Sequence, residues 1–183
     1  MGYTKKHVSS IQNIVHNESI SHVADIIIES IEKNNKILIC GNGGSASDSN
    51  HIAAEFVGQF EKERKPINAL SLSSNIALIT AIGNDFGFEY IFSRQIEAIG
   101  NSRDILIAIS TSGKSKNIIE AINAALKMGL KVIFISGKKS SSSFTDVNLH
   151  RILIDSNNTA TIQEAYMFLL HNVVRYIENN QND

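Results

Sequence analysis

Five short runs of apolar residues punctuate the chain, at 36–40, 68–72, 104–110, 131–136 and 151–155, and each has the length of a buried strand. Between them, apolar residues recur every three or four positions, which predicts helices over 46–58, 75–82, 90–99, 117–128 and 161–178. Strands alternating with helices define an α/β fold with a five-stranded parallel sheet. Gly129 is placed to stop the fourth of these helices, and Pro66 falls in the loop before the second strand.

The segment before the first strand has a different pattern. Val8, Ile11, Ile14 and Val15, then Val23, Ile26, Ile27 and Ile31, keep a helical period across 6–34, with a break at 17–21. One or two amphipathic helices result, and their stripe needs an apolar partner. Packing on the chain's own domain and packing on a second copy both satisfy it, and the pattern favours an oligomer. Four serines at 140–143, beside Lys138 and Lys139, predict a surface loop, and the tail 179–183 is expected to fray.

Composition narrows what such a fold can do. The 183 residues are 43% apolar and 19% charged, as in a single globular domain, here 1–183 with a helical segment at 1–34 and an α/β core at 35–178. A formal net charge of −1, with basic residues dispersed along the chain, argues against nucleic acid as a ligand. No run approaches a membrane span and the first residues lack the apolar centre of a secretory leader, so the expected location is the cytoplasm, with no membrane partner. Cys40, the only cysteine, ends a strand and reads as a small core residue.

The chemistry sits in two turns. Ser110-Thr-Ser-Gly-Lys-Ser115 follows the third strand, and Gly41-Asn-Gly-Gly-Ser45 follows the first. Hydroxyls, a permissive glycine and the free N–H groups of a following helix bind a dianion with few positive side chains. Both turns end strands, where open parallel sheets bind ligands, and together they suggest a sugar phosphate. The glycine spacing at 41–45 is not that of a dinucleotide fingerprint, and 113–115 lacks the upstream glycine of a P-loop.

The helix after the first turn carries Asp48, His51 and Glu55, spaced three and four apart and therefore on one face. A His and a Glu so spaced can share a metal, although such pairs also occur on solvated faces. On the last helix Ile162, Ala165, Tyr166, Leu169, Val173 and Ile177 form the apolar stripe, and Gln163 and His171 lie off its centre.

Taken together, Cys40-Gly-Asn-Gly-Gly-Ser-Ala46, His51-Ile-Ala-Ala-Glu55, Gly83-Asn-Asp-Phe-Gly87, Ser110-Thr-Ser-Gly-Lys-Ser115, Ile162-Gln-Glu164 and His171 resemble the sugar isomerase (SIS) domain family over almost the whole chain. The resemblance implies a three-layer sandwich, a homotetramer with active sites at subunit interfaces, and one zinc ion per subunit on His51, Glu55, Gln163 and His171. It implies substrate contacts at Asn42, Gly43, Gly44, Ser45, Glu55, Asn84, Asp85, Ser110, Thr111, Ser112, Ser115 and Gln163. The implied activity is isomerisation of sedoheptulose 7-phosphate to D-glycero-D-manno-heptose 7-phosphate, which begins nucleotide-activated heptose synthesis for surface glycans. Glu55 is the candidate base and His171 the candidate acid.

Gln163 and His171 would stand about 12 Å apart along an unbroken helix, so a composite site is expected, with different subunits supplying them to one metal. Three positions depart from the family pattern. Gln59 and Thr161 stand where arginine is usual, and Asn158 where aspartate is common. These leave open an isomerase for another ketose phosphate, and a non-catalytic SIS protein that binds a sugar phosphate or a partner is the alternative from another class.

Overall fold

The three central strands are almost continuous apolar runs, which a sheet covered on both faces requires. In the computed structural model, which describes residues 2–16, 19–138, 140 and 144–180, the five strands are β1 (Ile37–Cys40), β2 (Ala69–Ser71), β3 (Ile105–Ser110), β4 (Lys131–Gly137) and β5 (Leu149–Ile154). All pair in parallel in the order β2-β1-β3-β4-β5. The chain leaves β1 toward one edge and returns to its other side as β3, so strand order reverses between β1 and β3. The turns after β1 and β3 flank that reversal, which is the crevice an open α/β sheet offers a ligand.

Alternation along each strand builds two cores. Ile105, Ile107 and Ile109 face one cluster with Val23, Ile27, Ile52, Phe56, Tyr166 and Val173. Leu106 and Ala108 face the other, with Phe92, Ile96, Ile118 and Ile122. The first layer therefore holds α2 (Ser19–Ile31), α3 (Gly44–Val57) and α7 (Thr159–Asn180), and the opposite layer holds α5 (Ser93–Ile99) and α6 (Lys116–Lys127). The result is the expected three-layer sandwich. The apolar stripe of α2 is buried within this same domain, against α7, and α1 (Gly2–His16) also meets α7. Of the two partners that the N-terminal pattern allowed, the chain's own core covers α2.

Several boundaries move for local reasons. The helix expected over 90–99 is a 3-10 turn at Phe88–Tyr90 followed by α5. Gly87, at φ 111°, starts that turn, and the restart buries both Ile91 and Phe92. α7 begins at Thr159 because the Asn158 side chain accepts a hydrogen bond from the Thr161 N–H at 3.0 Å. Asparagine caps a helix as well as aspartate does, so this departure from the family pattern keeps the cap. The end of α7 does not fray at 179: the helix continues through Asn180, whose amide donates to the Tyr176 carbonyl. Of the expected serine loop only Ser140 lies within the described residues, as do none of 181–183. Cys40 is buried, and that burial raises its thiol pKa far above the reactive range.

α4 (Ile76–Asp85) is the exception to the layer pattern. Its N-cap Asn75 accepts from the Leu78 N–H at 3.1 Å, yet none of its residues is buried. Ile76 is 74% exposed, and Leu78, Phe86 and Phe88 are exposed as well. No helix of the described residues is long and apolar enough to cross a membrane.

Candidate active site

α3 and α7 lie side by side and run parallel, and contacts between them recur at matching levels. At the top, Gly44 stands opposite Gln163: a Cβ on Gly44 would lie 2.5 Å from Gln163 Nε2, so a side chain there would displace the amide. One turn down, the Tyr166 hydroxyl donates to the Asp48 carboxylate and shares a 2.8 Å hydrogen bond with Ser45 Oγ. Burial first, and then the carboxylate, raise the Tyr166 phenol pKa well above its usual value, so it remains a donor.

Next along the seam, His51 Nε2 lies 3.0 Å from Glu55 Oε1 and 3.4 Å from His171 Nε2. The two imidazoles tilt at 60° with centroids 5.1 Å apart. Burial, reinforced by His51, holds His171 below its usual pKa, so its ring is neutral near pH 7. The residues here are two imidazoles and a carboxylate, the donor set of a catalytic zinc site with an open position. As they stand, the side chains bond to one another, and among the described residues no three His, Cys, Asp or Glu groups form an assembled ion site. The donors fit zinc in kind, and they lack a fourth ligand. Gln163 of the same chain stands beside Gly44, two turns away along the helix.

The second constellation is at the sheet edge. Gly113, at φ 66°, closes the turn after β3, with its N–H on the Ser110 carbonyl at 3.0 Å. Ser115 precedes α6 as its N-cap but makes no side-chain cap, and its hydroxyl turns to Ser110 Oγ at 3.1 Å. Two hydroxyls thus meet at a helix N-terminus, where an anion is favoured. Ser112 Oγ accepts from the Lys114 N–H, and Thr111 lies half-buried beside it. Asn42 and Asn117 exchange amide hydrogen bonds of 2.8 Å in both directions, tying the β1 turn to α6.

Not every expected contact converges. Ser45 is buried with its hydroxyl on Tyr166, because it faces α7 rather than the crevice. Asn84 and Asp85 are exposed at the end of α4 and bonded to each other at 2.8 Å. Asp85 lines a cavity of about 470 Å³ with Phe86, Arg94 and Ile99, a cavity that shares no lining residue with the His51 group. Conversely, Asn117, Tyr166, Phe60, Arg64 and Glu178 join the site's surroundings without having been singled out. Tyr166 lay in the apolar stripe of α7, and a polar tip on a stripe residue that faces an acidic helix is the signal that could have marked it.

The chain matches the family model described as "SIS domain" over residues 2–137, and it belongs to that family of sugar isomerase domains. Within it, the phosphoheptose isomerase of Campylobacter concisus (strain 13826) is 42% identical over 160 residues, 87% of this chain and 84% of that protein. A solved phosphoheptose isomerase from Francisella tularensis superposes with a TM-score of 0.92 at 31% identity, covering 98% of this chain and 96% of that one. Another, from Neisseria gonorrhoeae, gives 0.89 at 32% identity over 97% and 96%. The family to which these proteins give their name is therefore the phosphoheptose isomerase branch of the SIS domains.

Proposed function

We propose that this chain is an aldose–ketose isomerase that converts sedoheptulose 7-phosphate to D-glycero-D-manno-heptose 7-phosphate, the entry to nucleotide-activated heptose. The observation that carries this reading is the meeting of Glu55 and His171 with His51 on a fold that also ends β3 in a hydroxyl turn. A binding protein needs the turn. It has no use for a base and a neutral imidazole held together.

Ser110, Thr111, Ser112 and Ser115 take the phosphate with the N-terminus of α6, and Asn42 to Gly44 border the sugar. The Glu55 carboxylate removes the proton from the carbon beside the carbonyl. As that C–H bond breaks, its electron pair forms the enediol double bond, and the carbonyl oxygen takes a proton. His171 moves the proton between the two oxygens, and Glu55 returns its own to the neighbouring carbon. Zinc held by His51, Glu55 and His171, with Gln163 from a second copy, would supply Lewis-acid polarisation of the substrate oxygens.

Part of each site comes from a neighbour in this reading, in a homotetramer. About 16 Å of helix separates Gly44, at the sheet edge, from Glu55. Asn84 and Asp85 bond to each other at the exposed end of α4, and α4 leaves an apolar face bare. Proton NMR of the protein with sedoheptulose 7-phosphate in deuterated buffer tests the reading. An aldose 7-phosphate carrying solvent deuterium is expected, and a folded oligomer giving no exchange and no product would overturn it.

A further inference from the structure

The loop after α3 carries a group of contacts that the reaction does not account for. Glu178 and Arg64 form an ion pair at 3.2 Å with side chains only 1% and 6% exposed. The Glu178 carboxylate also accepts the backbone N–H groups of Phe60, at 3.2 Å, and Glu61, at 3.1 Å. The other nitrogens of Arg64 donate to the carbonyls of Glu55, at 2.5 Å, and Phe56, at 2.8 Å. These are the last turns of α3, whose carbonyls have no partner within the helix. Phe60 lies nearly parallel on the His171 ring, at 22° with centroids 5.4 Å apart, and the Arg175 guanidinium sits 5.5 Å from the Phe60 ring while pairing with Glu61.

His171, Arg175 and Glu178 occupy one face of α7, and all three address this loop. A buried ion pair adds little net stability over an apolar one, since desolvation offsets the attraction. It does fix geometry, because a charged group left without its partner is strongly disfavoured. Here it ties the end of α3, which carries Glu55, to α7, which carries His171.

We propose that Glu178 and Arg64 anchor the 58–64 loop so that Phe60 holds the His171 ring against His51 and Glu55, making these three positioning residues for the isomerisation. This rests on the isomerase reading. The test compares Phe60→Ala, Phe60→Leu and Phe60→Tyr in the full-length protein. The His171 ring protons, assigned by their absence in His171→Asn, are followed by NMR, and kcat and KM are measured on sedoheptulose 7-phosphate.

The stacked ring gives those protons an upfield shift in the wild type. Phe60→Ala and Phe60→Leu lose it, with kcat falling on the order of tenfold to a hundredfold and KM little changed, as for a misplaced catalytic group. Phe60→Tyr, which keeps a flat face, restores both. Arg64→Lys keeps the charge but not the fork, and it lowers kcat in the same way. Wild-type shift and kcat in Phe60→Leu would overturn the proposal. The NMR arm is independent of turnover: a wild type inactive on this sugar, with the shift present and lost in Phe60→Ala, removes the isomerase reading and supports the positioning geometry.

Discussion

α3 and α4 follow neighbouring strands and have opposite fates. α3 is a mixed helix of small, polar and apolar residues, and Ser45, Ser49, Ile52, Ala53 and Phe56 are all buried. α4 is the more apolar of the two and buries none. Burial in this domain is therefore decided by what stands opposite a helix rather than by how apolar the helix is. α3 has α7 along its length, whereas α4 has chiefly the 3-10 turn at Phe88–Tyr90 beside it, with only Ile79 and Ile82 reaching the second core. In the proposed reading, the helix with an internal partner carries the base, Glu55, and the helix without one offers its bare apolar face to a second copy.

The largest expected effect is on the α3 side. Glu55→Gln should lower turnover by about 10²–10⁴, the range for losing a general base, with substrate binding still measurable by calorimetry. Unchanged turnover would remove Glu55 from the chemistry. On the α4 side, Ile76→Asp combined with Leu78→Asp should leave the fold intact, since neither residue is buried, but split the assembly in sedimentation velocity and abolish activity with it. An active monomer would show that the seam is complete in one copy.

A smaller effect tests how the seam is tied. Glu178→Gln leaves the Arg64 charge buried without its partner and should destabilise the protein by about 3–5 kcal/mol in urea unfolding. Replacing both with apolar residues should recover much of that, because desolvation then disappears with the charges. Tyr166→Phe removes the donor to Asp48 and the bond to Ser45, for about 1–3 kcal/mol.

The smallest effect lies outside both helices. Lys131 and Lys33 lower the Glu29 carboxyl from its usual 4.5 to about 2. A depressed folded pKa contributes stability above the unfolded value, so this contribution is complete above about pH 4.5 and is lost as pH falls toward 2. Glu29→Gln should slightly flatten the stability profile in that window, and only slightly, because the pair is exposed to solvent.

The middle of the sheet was legible in the chain because β1, β3 and β4 are covered on both faces and read as apolar runs; 37–40 and 105–110 are buried at every position, whereas the edge strands β2 and β5 are partly exposed. The hydroxyl turn at 110–115 was legible for a related reason, since hydroxyls and a glycine directly after such a run have few structural uses. Helix ends were less so. The start of α7 depends on a single cap, Asn158, and the split at 90–93 depends on fitting Ile91 and Phe92 under α6. The His51–Glu55 pair could be seen from spacing, but its third member could not, because a lone histidine off an apolar stripe has no pattern of its own. Ser45 belonged by sequence to a ligand turn, and its hydroxyl is turned inward by a tyrosine more than a hundred positions away.

Periodicity by itself determined which residues share a helix face or a strand face, and so the α/β class, the two turns and the grouping of Asp48, His51 and Glu55. Those relations are set by local backbone geometry, which repeats the same way wherever the chain goes. Only the tertiary structure decided that α3 and α7 run parallel in a register that sets His171 against His51 and Gln163 against Gly44. That register depends on side chains from distant segments fitting one another, and no period along a single segment encodes it. The same is true of Arg64 and Glu178, whose burial and pairing exist only once the end of α3 and the end of α7 have come together.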